Sequence, residues 1–405
     1  MPTVVLLGTL DTKGHEFDFL RGRVQAAGCE TILIDAGTLG EPLAQPDITH
    51  AEVAAAAGAD SATLAADDDR GVAIQAMADG ATVIVRRLFA EGKLHGIIGG
   101  GGSGNATLAT QAMRALPVGV PKLVVSTMAS GDTRPYVGAT DITMMYSVVD
   151  IAGINQISRR ILSNAAAAIA GMAHDYVSFQ PKNDTRPLIT ASMFGVTTPC
   201  VTMARERLEE LGYEVLVFHA TGTGGQAMEA LISGGFIAGS LDITTTELAD
   251  ELVGGVLSAG PQRLEAAGRS GVPQVVSLGA LDMVNFGPFD SVPDAFRERT
   301  VYRHNATVTL MRTTPEECAE LGRIIAAKLN AAIAPTALFI PLRGVSMIAT
   351  AGQPFYDLAA DQALIGQVKA NIGSQVQVYE LDMDINDPRF AIAMADKLHA
   401  MLVGE

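Results

Sequence analysis

The sequence predicts an α/β chain of two doubly wound domains with mainly parallel sheets. Three features carry that expectation. Short apolar runs stop abruptly at glycine or aspartate, as Val4-Val5-Leu6-Leu7 does at Gly8. These runs alternate with longer helical stretches. The alternation halts once, at the polar segment Gln180 to Pro187, and then restarts. A strand buried on both faces of a parallel sheet reads as one continuous apolar run. Strands that alternate with helices join in parallel through helical crossovers. The expected layout is a Rossmann-like nucleotide-binding domain over 1–180, a linker over 181–187 and a second Rossmann-like domain over 188–405.

In the first half, strands are expected at Val4 to Leu7, Thr31 to Ile34, Gly96 to Ile98 and Lys122 to Val125. Helices are expected over 14–27, 69–91, after Asn105 and over 148–172. In the second half, strands are expected at 188–193, 214–218, 236–240, 273–277, 336–340 and 376–380. Helices are expected at 199–211, 224–233, 246–257, 315–333, 357–369 and 388–402. Thr314-Pro315-Glu316-Glu317 offers an N-cap, a proline at the first helical position and a glutamate placed to reach back. Asp387-Pro388 starts the last helix in the same way. Asp67 to Asp69 put negative charge at a helix N-terminus, where the helix dipole favours it. A shift of 184 carries Arg21, Arg23, Gly28, Glu30 and Ala36 onto Arg205, Arg207, Gly212, Glu214 and Ala220. That recurrence suggests two domains that begin alike.

Composition narrows the function. The 405 residues are 48% hydrophobic and 18% charged, enough apolar surface for packed cores and against disorder. Acidic residues outnumber basic ones 44 to 28, a formal charge of −16. Such a field repels phosphate backbones and anionic lipid, so bulk nucleic-acid binding and membrane docking are not expected. The three cysteines, Cys29, Cys200 and Cys318, are too scattered for a disulfide framework or a thiolate zinc site. The expected setting is cytoplasmic, and the expected assembly is a homo-oligomer, most simply a dimer.

The glycine loops carry the chemistry. Gly99 to Gly104 follows a strand and precedes a helix, so its backbone N–H groups can approach a ligand closely. Gly100, Gly101, Gly102 and Gly104, with Ser103 and Asn105, form an expected phosphate cradle. A side chain at Gly101 would stand where a phosphate approaches. Thr9, Asp11 and Lys13 follow the first strand, and Thr127 and Asp132 follow a later one; both loops should reach the same sheet edge. Lys13 would neutralise a phosphate. Asp11 and Asp132, or Asp141, would hold Mg²⁺ together with phosphate oxygens. A second anion site is expected at Thr221, Gly222, Thr223, Gly224 and Gly225. Further polar groups interrupt apolar surroundings, among them Asp242, Thr244 to Glu247 and Asn285. Asp282, His304 and Arg343 are the expected catalytic set, with His304 moving a proton and Arg343 holding an anion. Asp35, ending the second strand, leaves room for a dinucleotide ribose.

Leu7 to Gly14, taken with Ile97 to Gly104, resembles the Tm-one-like ATP-binding family, named for a plant tobamovirus-resistance protein. The likeness continues through Phe218 to Gly225, Gly279 to Phe286 and Pro341 to Gly344. It implies two Rossmann-like domains, with ATP and Mg²⁺ bound in the first. The resulting expectation is an ATP-binding enzyme acting on a small anionic metabolite. The alternatives are an ATP-gated binding or regulatory protein, and a dinucleotide-dependent oxidoreductase.

Overall fold

The computed structural model describes residues 1–38, 40–66, 70–179 and 186–404. The chain divides into two compact units, Met1–Lys182 and Asn183–Glu405. Most of the expected linker at 181–187 lies outside the described residues, as do Asp67 to Asp69.

The first unit runs β1 (Thr3–Gly8), α1 (Leu10–Ala26), β2 (Glu30–Asp35), α2 (His50–Ala56), α3 (Ser61–Ala66), α4 (Arg70–Ala90), β3 (Gly96–Gly101), α5 (Ser103–Arg114), β4 (Lys122–Ser126), α6 (Arg134–Val137), β5 (Thr143–Tyr146) and α7 (Gln156–Ser178). Its strands are all parallel, in the order β2-β1-β3-β4-β5. The strand order therefore reverses between β1 and β3. Val5, Leu7, Ile97 and Val124 pack against Met77 of α4 and Ala109 and Met113 of α5. Val4, Leu6, Ile98 and Leu123 pack against Phe17 and Leu20 of α1 and Leu162 and Ile169 of α7. Successive strand residues point to opposite faces, and both faces are covered, so no polar residue interrupts these runs.

Several elements differ from expectation: the short helices α2, α3 and α6 are unforeseen, and α1 begins at Leu10, four residues early. The helix expected from residue 148 begins at Gln156, because the Asn155 side chain accepts from the Ile157 and Ser158 N–H groups and stops the helix there. The segment before it is a loop in which Val148 holds φ at 63°. The unforeseen β5 is a partly exposed edge strand, with no continuous apolar run to reveal it.

The second unit runs β6 (Leu188–Met193), α8 (Thr198–Glu210), β7 (Glu214–His219), α9 (Thr223–Ser233), β8 (Gly239–Thr244), α10 (Glu247–Val253), α11 (Ala266–Ser270), β9 (Gln274–Gly279), β10 (Met283–Phe286), β11 (Val301–Arg303), β12 (Thr309–Arg312), α12 (Pro315–Asn330), β13 (Thr336–Pro341), α13 (Leu358–Asn371), β14 (Val376–Leu381) and α14 (Pro388–Val403). Six parallel strands form one sheet, β14-β13-β9-β8-β6-β7, and β10-β12-β11 form a small antiparallel sheet. The Thr314 capping box and the Asp387 cap form as the sequence requires. Strand β8 starts three residues later than expected. Under the shift of 184, β2 falls on β7 residue for residue, so the two units do begin alike. Among the described residues, no helix is long and apolar enough to cross a membrane. Cys29, Cys200 and Cys318 are buried free thiols.

Candidate functional site

The first unit carries an open cleft of about 320 Å³ at the carboxyl edge of its sheet. The loop after β1 lines one side with Thr9, Asp11 and Lys13, and the loop after β3 lines the other with Gly102 to Asn105. This is the point where the strand order reverses, and such switch points are where open α/β sheets bind ligands. The Thr9 hydroxyl donates to Asn105 Oδ1 at 2.9 Å and ties the two loops together. The N-cap of α5 is Gly102, which has no side chain to satisfy the first turn. The N–H groups of Ser103, Gly104 and Asn105 have no acceptor among the described residues. They are the unpaired donors that a helix start offers an anion. Lys13 Nζ donates to the Ile151 carbonyl oxygen.

The glycines divide into two kinds. Gly102 lines the cleft, and a Cβ there would meet nothing within 4 Å. Gly101 has φ of 139°, and its Cβ would lie 2.5 Å from Asn105 Nδ2. Gly100 faces the Val125 carbonyl oxygen. Gly100 and Gly101 thus belong to β3 and support the loop from behind, which corrects the expectation that a side chain at Gly101 would obstruct a phosphate.

Several other expectations need correction. Thr127 and Asp132 lie on the loop after β4, outside the lining of the cleft. Asp132 is exposed and held by both Nε and Nη2 of Arg134, which pulls its carboxyl down to about 2. Asp141 accepts from the buried Lys122 ammonium at 2.7 Å and from Gly119 N. Burial depresses the Lys122 pKa, and Asp141 opposes that shift. Asp35 is fully buried: Oδ1 takes the N–H groups of Leu10 and Gly37, and Oδ2 faces His50 Nδ1 at 3.1 Å. A carboxylate so enclosed cannot receive a ribose, so the dinucleotide reading loses its anchor. Asp150, which sequence reasoning missed, lines the cleft with Asp11. Its loop position gave no local signal.

In the second unit, the loop expected to bind an anion already holds one of the protein's own. Glu247 is completely buried, and its Oε1 accepts from Gly222 N at 2.7 Å and Gly225 N at 3.1 Å. A Cβ on Gly225 would fall 2.2 Å from Glu247 Oε2, so only glycine lets the carboxylate in. Thr221 and Thr223 flank this contact, and Gly224 packs against the His219 carbonyl oxygen. The glycine loop thus has the predicted chemistry with an internal ligand. Glu247 Oε2 in turn accepts from Arg263 Nε at 2.6 Å, and Asp242 Oδ1 accepts from Arg263 Nη2 at 2.7 Å. Glu229 approaches the same guanidinium at 3.3 Å. Of the polar run, Asp242, Thr244 and Glu247 therefore close around Arg263, while the Thr245 and Thr246 hydroxyls donate to the Ser277 and Met283 carbonyl oxygens.

The expected catalytic set is not assembled. Asp282 is fully buried, with Oδ2 accepting from the Ser346 hydroxyl at 2.8 Å. It precedes Met283, which faces Arg312, while His304 follows Arg303, which faces Thr309 at the other end of the small sheet. Five strand steps separate them, roughly 17 Å. His304 sits exposed in the turn between β11 and β12. Arg343 lies on the surface and forks Asp382 through Nε and Nη2, each at 2.7 Å. An antiparallel hairpin inside an α/β chain carried His304 away from the sheet edge.

Two buried carboxyls give the second unit a pH signature. Burial pushes Asp250 up to about 7 and Asp282 up to about 6. Both lie above the unfolded value of about 3.9, so the folded chain binds more protons than the unfolded chain across that window. Stability should therefore fall as pH rises from about 4 to 7 and level off above it. Urea midpoints at pH 5 and pH 8 check this: pH 5 should be the more stable, and Asp250→Asn should flatten the slope. A midpoint that rises with pH would contradict the assignment.

Models of the two domains of an uncharacterised protein family, UPF0261, match the chain: the N-terminal domain over residues 2–178 and the C-terminal domain over 186–402. A UPF0261 protein of Clostridium tetani is 56% identical over 400 residues, 98% of each chain. The ToMV resistance protein Tm-1(GCR237) of Solanum lycopersicum is 40% identical over 415 residues, covering 98% of this chain and 55% of that protein. Among solved structures, UDP-GlcNAc 2-epimerase of Methanocaldococcus jannaschii matches at 8% identity and a TM-score of 0.23, over 68% of this chain and 83% of that one. Matched by both domain models and by a relative aligned over 98% of both chains, the chain belongs to the UPF0261 family and is similar to the Tm-1 proteins.

Proposed function

We propose that the first unit binds ATP with Mg²⁺, its phosphates lying between the N-termini of α1 and α5. One observation carries the reading: the loops after β1 and β3 meet at the switch point around an open cleft whose α5-start donors are unfilled. At the α9 start of the second unit Glu247 takes the Gly222 and Gly225 N–H groups, so the contrast lies within one chain.

Charge supports the metal. Asp11, Asp150 and Lys13 line the cleft and sum to −1. The two helix starts contribute about +0.5 each. A triphosphate of several negative charges needs further neutralisation there. Mg²⁺ prefers one or two carboxylates with phosphate oxygens and water, and Asp11 with Asp150 fits that donor set. Asp11 Oδ2 accepts from Thr38 N at 3.0 Å, which fixes the carboxylate at the cleft wall. Among the described residues no group of three or more His, Cys, Asp or Glu could hold a metal, so the nucleotide would complete the shell. When bound, the ion would neutralise phosphate charge. Lys13 and the α5 donors orient the phosphate oxygens.

With Asp282, His304 and Arg343 dispersed, the feature that favoured chemistry in the second unit is gone. The reading that remains is a nucleotide-binding protein in which ATP sets a state. Calorimetry tests it. Mg·ATP should bind the wild type, binding should weaken at least tenfold in EDTA, and Gly102→Val should abolish it without unfolding the protein. Equal affinity in Gly102→Val would overturn the reading.

A further inference from the structure

A second cavity, of about 330 Å³, opens beside the first and shares Thr38 with it. Sequence reasoning gave it no role. Its walls combine Leu64 and Met77 with the bare backbone at Gly37, and its polar groups include Glu41 and His50. His50 is the first residue of α2, yet its ring is set by β2: Nδ1 lies 3.1 Å from Asp35 Oδ2. That carboxylate is buried and pinned through its other oxygen by Leu10 N and Gly37 N. A carboxylate that accepts here places a proton on Nδ1, and in the neutral imidazole Nε2 is then the acceptor. Nε2 has no partner among the described residues, and His50 lines the cavity.

We infer that this second cavity receives the nucleoside of the bound nucleotide, with His50 Nε2 accepting a hydrogen bond from it. The inference rests on the phosphate reading above. A nucleotide whose phosphates sit at the α5 start must extend somewhere, and Thr38 joins that cleft to this cavity. Leu64, Met77 and the glycine backbone offer an apolar wall for a base. Two acceptors, His50 Nε2 and the Glu41 carboxylate, suit a ligand edge that donates. Adenine has such an edge in its exocyclic amine, and ribose has one in its hydroxyls. Small-ligand pockets are commonly built this way, apolar walls with a few placed polar groups.

Titration calorimetry with ATP and with inorganic tripolyphosphate separates the two readings. The wild type should bind ATP at least tenfold more tightly than tripolyphosphate. His50→Leu should shrink that ratio at least fivefold and leave tripolyphosphate binding unchanged. ITP and 2′-deoxy-ATP then assign the donor: the one that the wild type discriminates against, and the variant does not, lacks the group that meets His50. An ATP-to-tripolyphosphate ratio unchanged in the variant overturns the nucleoside site alone. Failure of tripolyphosphate to bind the wild type overturns the phosphate reading and this inference with it. Should His50→Leu not fold, the His50 ring resonances of the wild type give the same answer. ATP should move them and tripolyphosphate should not; resonances that neither ligand moves overturn the inference.

Discussion

Arg263→Met should destabilise the second unit by about 3–5 kcal/mol, the usual cost of removing one partner from a buried ionic network. The Arg263 side chain has no exposed surface, and three carboxylates converge on it. Methionine fills much of the volume but leaves Asp242 and Glu247 charged and enclosed. Neither carboxylate can reach water, so each must take up a proton or open the structure. The damage should spread by two routes. Asp242 also accepts from the Ser192 hydroxyl at 2.6 Å, which ties β8 to β6. Glu247 holds the β7–α9 loop through Gly222 and Gly225. Urea unfolding of the full chain measures the loss, with Arg207→Ala as the control. Arg207 pairs with Asp396 on the surface, where solvent screens the pair, and its loss should cost far less than that of Arg263. A loss below about 1 kcal/mol for Arg263→Met would mean the network is not what closes this region.

Lys13→Ala should weaken Mg·ATP binding at least tenfold, about 1.4 kcal/mol, and leave adenosine binding unchanged. The ammonium stands in the cleft beside the α5 helix start. A charged donor to a phosphate oxygen contributes roughly 1.5–3 kcal/mol where water is partly excluded. The native contact it loses is one bond to the Ile151 carbonyl, so folding should change little. Lys13→Arg should keep part of the affinity, since the charge remains while the point donor becomes a planar fork. Equal losses for ATP and adenosine would show that Lys13 acts through the fold and not on the phosphates.

The sheets were legible because their strands are buried on both faces, as at Val4 to Leu7 and Ile97 to Ile98. No local pattern announces β10 to β12, whose antiparallel pairing interrupts the alternation of the second unit and moved His304 out of reach. The first cleft was half legible. Thr9, Asp11, Lys13 and the loop from Gly102 were readable from strand–glycine–helix order alone. Asp150 and His50 were not, because their placement depends on loops that return to the sheet edge. The second glycine loop shows a different limit. Its backbone chemistry was readable at Gly222 to Gly225, but its occupant comes from Glu247, 25 residues beyond Gly222, and only tertiary contact reveals that the site is already taken. Asp35 reads as a ribose anchor by position and serves as a cap for α1 by contact.

The most direct test is a crystal structure of the full chain grown with Mg²⁺ and a non-hydrolysable ATP analogue. Triphosphate density is expected between residues 9–13 and 102–105, with phosphate oxygens on the N–H groups of Ser103 to Asn105 and on Lys13 Nζ. Triphosphate density in the second unit, or an empty first cleft in crystals of protein shown to bind the analogue, would contradict it.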